Sequence, residues 1–345
     1  MSTDLLRKHR YSLVRSLLNI EEDIAKIDSK RKRILYITPH LSTGGMPQYL
    51  LKKIEIMSRD ADVYCIQWVD NAPLFDVQKK KIKEFLGDRF FCLGEDKGEV
   101  ISLILDKIYP DIIHFEDIPE RFISKELNGI LYGKYRPYMI CETPHSSTIG
   151  PAEKIFLPDK FVMVNQWMVE KYKVLPCQFD ILEYPIESVA EYKKEDYIEK
   201  LGLDPKRKHI INVGLFTPGK NQAEVIRIAN SLSDYPIDFH FIGNMAGNFI
   251  EYWKPLTENL PINCKIWGER EDVSDFYKAA DLFLFTSNWE LSPIVIRESI
   301  SNRLPIMLYK LPSYMNDYDN MEYINYVRPF EYDENLKSIL DIIGL

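Results

Sequence analysis

The feature that most constrains this chain is an alternation of strand-like and helix-like segments that runs, breaks, and runs again. RILYIT (33–38) reads as a strand, and PQYLLKKIEIM (47–57) as a helix with Pro47 in its first turn, where a missing N–H costs nothing. DVYCIQWV, RFFCL, DIIHFE, YMICET and KFVMVN follow as strands separated by helical or loop segments. Over residues 184–208 the polar, proline-containing EYPIESVAEYKKEDYIEKLGLDPKRK interrupts the pattern and reads as a linker plus a short helix. The alternation restarts with HIINVGLF, a helix over 220–233, DFHFIG, a helix near 247–259, NCKIWG, the helix DVSDFYKAA, DLFLFTS, a helix from 293, and LPIMLY. Such alternation builds parallel, doubly wound sheets covered on both faces by helices.

The 345 residues allow about two domains of this kind. The expectation is an α/β protein with two Rossmann-like domains, at 33–185 and 186–330, facing each other across a cleft. An N-terminal helical extension (1–32) precedes them and a C-terminal helix or tail (331–345) follows. In open α/β sheets ligands bind beyond the carboxyl ends of the strands, so candidate residues should lie just after strands.

Residues 4 to about 29 read as one amphipathic helix, with Leu5, Leu6, Leu13, Val14, Leu17, Leu18, Ile24 and Ile27 at helical spacing. Basic clusters bracket it, which suits peripheral contact with an anionic membrane surface. Glu21, Glu22 and Asp23 interrupt the positive face and favour a packing helix or coiled-coil arm instead. A net charge of −8 argues against a general nucleic-acid binder, which needs a basic excess to neutralise phosphates. Five dispersed cysteines without a CxxC pair fit reduced thiols in a cytoplasmic setting. No apolar run approaches the length of a transmembrane helix, and the first residues lack the uninterrupted apolar core of a secretory signal.

The stretch WELSPIVIRES (289–299) follows the strand DLFLFTS and carries two acids, Glu290 and Glu298. Pro293 disfavours helix at Ser292 and suits a first helical position, so Ser292 is the expected N-cap and Glu290 lies in the loop before the helix. At about 100° per residue, Glu298 falls at the border of the apolar arc and Arg297 on the more polar side. The N–H groups of a helix start favour an anion. A phosphate there, flanked by two carboxylates that accept from hydroxyls, describes a nucleotide sugar.

These residues resemble the E-x7-E motif of retaining GT-B glycosyltransferases, the large family-four (group 1) set. IINVGLFTPGKN is similar to that family's first C-terminal strand and phosphate loop, FHFIGN to its second strand, and KIWGEREDVSDFYKAADLFLFTS to its central signature. ITPHLSTGGMPQYL resembles its N-terminal glycine loop. The likeness is good over about 209–309, looser over 33–185, and absent from the first 30 residues. It implies that Glu290 contacts hydroxyls of the transferred sugar and that backbone N–H groups around Ser292, Pro293 and Ile294 contact sugar and diphosphate. Glu298 would bind the ribose, and Lys220, after Gly214, the diphosphate. Gly44 and Gly45 would approach the phosphates, Trp267 and Gly268 would border the base, and His145 in ETPHSS would lie near the sugar. The implied reaction is transfer from a nucleoside-diphosphate sugar to a glycan, lipid or protein hydroxyl with retention of configuration, and with no cofactor. A front-face route is expected, since no carboxylate is an obvious nucleophile.

The chain departs from that pattern at Leu215, where the family usually has an arginine; Arg297, Arg270 or a cation from the first domain would have to substitute. Leu291-Ser292-Pro293 replaces the usual Gly-Phe-Pro. Structural readings stand beside the functional ones. Gly44-Gly45 also suits a turn before Pro47, His114 is as readily a packing histidine as a site residue, and Trp267 suits ordinary core. Metal is not expected, because there is no HExxH or His/Cys cluster and Asp317-Tyr318-Asp319 sits in a polar loop. A catalytically degenerate nucleotide-sugar-binding subunit and a nucleotide-sugar epimerase of the same fold are the alternatives.

Overall fold

The structure, a computed structural model, describes residues 31–345 except positions 43, 70–75, 94–96, 119, 146–153, 186, 188, 315–316, 320 and 329. The helix expected over residues 4 to 29 lies outside the described residues. The chain divides into two compact units, one ending at Leu182 and the other running from Glu183 to Leu345.

The first unit runs β1 (Lys32–Thr38), α1 (Gly45–Met57), β2 (Ala61–Gln67), α2 (Val77–Leu86), β3 (Phe90–Cys92), α3 (Lys97–Ile108), β4 (Ile112–Glu116), α4 (Lys125–Leu131), β5 (Met139–Thr143), β6 (Lys160–Met163), α5 (Gln166–Tyr172) and β7 (Gln178–Ile181). Its seven strands form a parallel sheet in the order β3-β2-β1-β4-β5-β6-β7. The sequence of β1 shows why both faces must be covered. Ile34 and Tyr36 pack with Leu50, Ile54, Ile82 and Leu86, while Leu35 and Ile37 pack with Ile101, Ile104, Phe115 and Leu127 on the other side. A strand whose successive residues are all apolar has no face to give to water, so helices cover both sides.

The second unit runs α6 (Lys194–Leu201), β8 (Lys208–Val213), α7 (Gln222–Ser231), β9 (Ile237–Ile242), α8 (Ile250–Glu258), β10 (Cys264–Gly268), α9 (Val273–Ala279), β11 (Leu282–Phe285), α10 (Ile294–Ser301), β12 (Ile306–Leu308), β13 (Ile324–Tyr326) and α11 (Tyr332–Ile343). The parallel order is β10-β9-β8-β11-β12-β13. Again the strands alternate: Phe239, Phe241, Leu282 and Leu284 join one core, Phe283, Phe285, Ile306 and Leu308 the other. Helix α11 closes the first of these cores with Ile339 and Ile343.

Two strands, β7 and β13, extend the sheets beyond the sequence expectation. Both are short edge strands, and QFDI and INY are only partly buried, so neither carries the continuous apolar run that marks an interior strand.

Candidate functional site

In each sheet the strand order reverses once, between β1 and β4 in the first unit and between β8 and β11 in the second. Loops that leave neighbouring strands in opposite directions open a crevice there, which is where such sheets hold ligands. In the second unit β8 runs out through Gly214 to Lys220, and β11 through Thr286 to Glu290. The two loops are stitched together. The Asn288 N–H donates to the Gly219 carbonyl at 2.8 Å, and the Thr286 hydroxyl to the Asn221 carbonyl at 2.9 Å. Asn221 takes a left-handed conformation (φ 54°) to start α7, which asparagine tolerates better than most residues.

This stitching brings together two candidates 70 residues apart: Lys220 Nζ donates to Glu290 Oε1 at 2.5 Å. The lysine side chain is 29% exposed and the glutamate 10%, so the pair sits at the crevice and not in the core. The Glu290 carbonyl is fixed separately by the Ser313 hydroxyl at 2.5 Å. Gly214 (φ 155°) passes the aliphatic part of Lys220 at ordinary contact distance. Gly243, after β9, is fixed more tightly. With φ 147°, a Cβ there would come 2.0 Å from the Gly214 carbonyl oxygen, so only glycine lets the ends of β8 and β9 approach this closely.

The helix after Glu290 corrects two expectations. Ser292 is not the N-cap: Pro293 holds that position with φ −71° and ψ 112°, and Ile294 is the first helical residue. Leu291, Pro293 and Ile294 are all buried, and seating the three together keeps the chain extended one residue longer than the capping preference of Ser292 would. Arg297 is not on a polar face. It is 6% exposed, its guanidinium donates to the Tyr184 carbonyl at 2.9 Å, and it pairs with Glu183 at 2.9 Å. The start of the linker turned a polar-looking position into a buried anchor. Glu298 is half-buried and accepts from the buried Tyr277 hydroxyl at 3.0 Å. Neither arginine proposed to replace the cation missing at Leu215 stands free, because Arg270 is bound to both oxygens of Asp272 at 2.8 and 2.6 Å.

Trp267 is half-buried against Phe276 and heads a hydrogen-bond chain that the sequence did not suggest. Its indole N–H is only a donor, so His240 Nδ1, at 3.1 Å, must accept. His240 Nε2 then donates to His209 Nδ1 at 3.1 Å, and His209 Nε2 to the Asp204 carbonyl at 3.1 Å. One direction of donation satisfies every member only if both imidazoles are neutral. Burial lowers His209 and pushes His240 down to about 3. An unfolded histidine takes up its proton near its ordinary value. The folded state therefore gains stability above about pH 6.5 and loses it as the pH falls towards 3. Unfolding in urea should show this as a loss of about 2 kcal/mol from His240 between pH 7.5 and 5, with His209 adding in the same direction. An unchanged midpoint over that range would rule out the neutral chain.

The first unit has its own cluster at the switch point. Lys53, on the buried face of α1 with Tyr49, Leu50 and Ile54, is 4% exposed. Its Nζ donates to Glu116 Oε1 at 2.6 Å and to Thr143 Oγ1 at 3.2 Å, and lies 3.0 Å from His114 Nε2. Glu116 ends β4 with no exposed surface. Burial alone would raise its carboxyl, but Lys53, His114 and His145 outweigh that and hold it at about 2. Burial, reinforced by Lys53, pushes His114 down to about 3, so it is the neutral acceptor of the ammonium. His145 Nε2 meets the other Glu116 oxygen at 2.9 Å, its backbone N–H is held by Asp117 at 2.9 Å, and its ring stands edge-on to Tyr49. Gly44 (φ 129°) caps α1 and Gly45 begins it, both exposed, with no atom within 4 Å of a Cβ at Gly44. Among the described residues no group of three or more His, Cys, Asp or Glu side chains is placed to hold a metal ion. Asp319 instead pairs with Lys310 at 2.9 Å.

Residues 193–335 match the family described as glycosyl transferases group 1. The match takes in most of the second unit. The chain is 24% identical over 202 residues to the processive diacylglycerol alpha-glucosyltransferase of Acholeplasma laidlawii, a match covering 55% of this chain and 58% of that protein. It is 33% identical over 170 residues to the alpha-galactosylglucosyldiacylglycerol synthase of Streptococcus pneumoniae, covering 48% of this chain and 40% of that one. The chain thus spans about half the length of these relatives. Among solved structures it is similar to Anabaena Alr3699/HepE in complex with UDP-glucose, with TM-score 0.69, 14% identity, and 90% and 88% of the two chains covered. The paired Rossmann-like sheets are those of GT-B glycosyltransferases. Lys220, Glu290 and Glu298 all fall inside the matched residues.

Proposed function

We propose that this chain transfers a sugar from a nucleoside-diphosphate donor to an acceptor hydroxyl with retention of anomeric configuration. The observation that carries this reading is the Lys220–Glu290 contact at the switch point of the second sheet. A diphosphate offers Lys220 a stronger anion than one carboxylate. Its arrival releases Glu290 to accept from the sugar's hydroxyls, while backbone N–H groups at the start of α10 face the phosphates. Glu298 takes the ribose hydroxyls. As the C1–O bond to the diphosphate breaks, the departing oxygen takes the proton of the acceptor hydroxyl, whose oxygen bonds to C1 on the same face. Lys220 stabilises the charge developing on the leaving group, an electrostatic effect that is usually the largest in such catalysis.

The relatives' names point to lipid-linked acceptors. A cavity of about 700 Å³ beyond β4 and β5 supports an acceptor with an apolar part. Ile118, Ile123, Pro144 and Phe156 line it, and its buried charges are already paired, Lys154 holding both oxygens of Glu142 at 2.7 Å. No helix among the described residues is long and apolar enough to cross a membrane. The cation missing at Leu215 favours the alternative of a donor-binding subunit without turnover.

One experiment separates them. Thermal unfolding with UDP, GDP and their glucose conjugates should find at least one ligand that raises Tm by mass action. Transfer of labelled sugar to a diacylglycerol acceptor should then proceed, and at an equal rate in excess EDTA. Binding without turnover would leave only the subunit reading. EDTA loss restored by a divalent ion would end the metal-free mechanism.

A further inference from the structure

The mechanism above makes no use of the most deeply buried ion pair among the described residues of the first unit. Lys53 and Glu116 are 4% and 0% exposed, and neither can reach a ligand. What Glu116 can reach is His145, whose side chain is 12% exposed at the end of β5. An ionised carboxylate only accepts. Glu116 Oε1 accepts from Lys53, and Oε2 therefore requires a proton on His145 Nε2. The other ring nitrogen, Nδ1, has no partner among the described residues. The remaining neighbours fix the ring without competing for it. Asp117 holds the His145 backbone N–H, Tyr49 stands edge-on to the ring with its hydroxyl spent on the Leu182 carbonyl, and His114 is turned to Lys53 and Thr143.

We infer that Lys53 and Glu116 are positioning residues that place the His145 ring proton on Nε2, so that the singly protonated ring presents Nδ1 as a hydrogen-bond acceptor for a substrate hydroxyl. The role of Lys53 is charge compensation, since its ammonium lies 2.6 Å from the carboxylate that would otherwise be an unpaired buried anion. The catalytic half of this inference rests on the transfer reading above; the tautomer half does not.

The geometry makes an unusual demand on Glu116→Gln. The new amide must still give its carbonyl to Lys53, because an ammonium has nothing to offer but donors. Its NH2 then faces His145 Nε2 and can only donate. The ring proton has to move to Nδ1, and the residue presents a donor where it had presented an acceptor. One isosteric change moves the single ring proton from Nε2 to Nδ1.

Two-bond 1H–15N spectra of 15N-histidine-labelled full-length protein read this directly, with the His145 signals among the six histidines assigned by their loss in His145→Asn. The expected result is an Nε2–H tautomer in the wild type and Nδ1–H in Glu116→Gln, with kcat for transfer down about tenfold or more and the donor KM little changed. A wild-type Nδ1–H tautomer overturns the inference even if the variant fails to fold. So does a variant that keeps Nε2–H, or one that inverts the tautomer with unchanged kcat. If the wild type turns over no donor, the transfer reading and the catalytic half fall together, while the spectra still decide what Lys53 and Glu116 do to His145.

Discussion

Lys220→Ala and Glu290→Ala should each lower sugar transfer by about a hundredfold or more, equivalent to about 2.7 kcal/mol of transition-state stabilisation. In the proposed mechanism the lysine variant loses the cation that meets the leaving diphosphate, and neither Arg270 nor Arg297 is free to replace it, one bound to Asp272 and the other to Glu183. In the same mechanism the glutamate variant loses the acceptor for the sugar's hydroxyls. The two residues are in contact, so the double variant should cost less than the sum of the single ones. Each single variant also strands its charged partner, so stability should fall by about 1–3 kcal/mol. Asp317→Ala should leave transfer unchanged. Initial rates with saturating acceptor decide it, and near-normal turnover of Lys220→Ala would remove that residue from the diphosphate.

The second large effect is on stability. Lys53→Met should destabilise the first unit by about 3–5 kcal/mol, the usual cost of leaving a fully buried charge without its partner. Lys53→Met combined with Glu116→Leu should recover much of that loss, since removing both charges leaves no unpaired anion. Urea unfolding followed by the fluorescence of buried Trp68, whose indole N–H donates to the Phe122 carbonyl at 3.1 Å, reports on the right unit. A double variant no more stable than Lys53→Met would mean that packing and not charge dominates the site.

Much of the fold was legible because interior parallel strands are apolar on both faces, and runs such as RILYIT and DLFLFTS say so without help from tertiary structure. Lys220 and Glu290 were legible singly, each just after a strand; that they touch follows from β8 and β11 being neighbours, which depends on strand order. Lys53 and Glu116 were missed for a related reason. A lysine at the angular position of Tyr49 and Leu50 on α1 is a visible signal, but it acquires meaning only when β4 brings an acid to the same point. Arg297 misled because its helix reads as amphipathic until Glu183 and Tyr184 fold back on it. Ser292 misled because local capping preference lost to the burial of its neighbours.

The Lys220–Glu290 contact also bears on what the proposed site would refuse. An inorganic pyrophosphate that captured the lysine would strand a carboxylate only 10% exposed, with nothing to donate to it. An uncharged sugar that engaged the glutamate would strand the ammonium. Either half-ligand would have to break a satisfied bond and leave one member orphaned, a penalty of about 1–3 kcal/mol or more for charged groups. A molecule that carries phosphates and hydroxyls at the right separation exchanges both partners at once. In this reading the pair is a coincidence detector, and selectivity against the fragments of its own donor comes from a contact present before any ligand arrives.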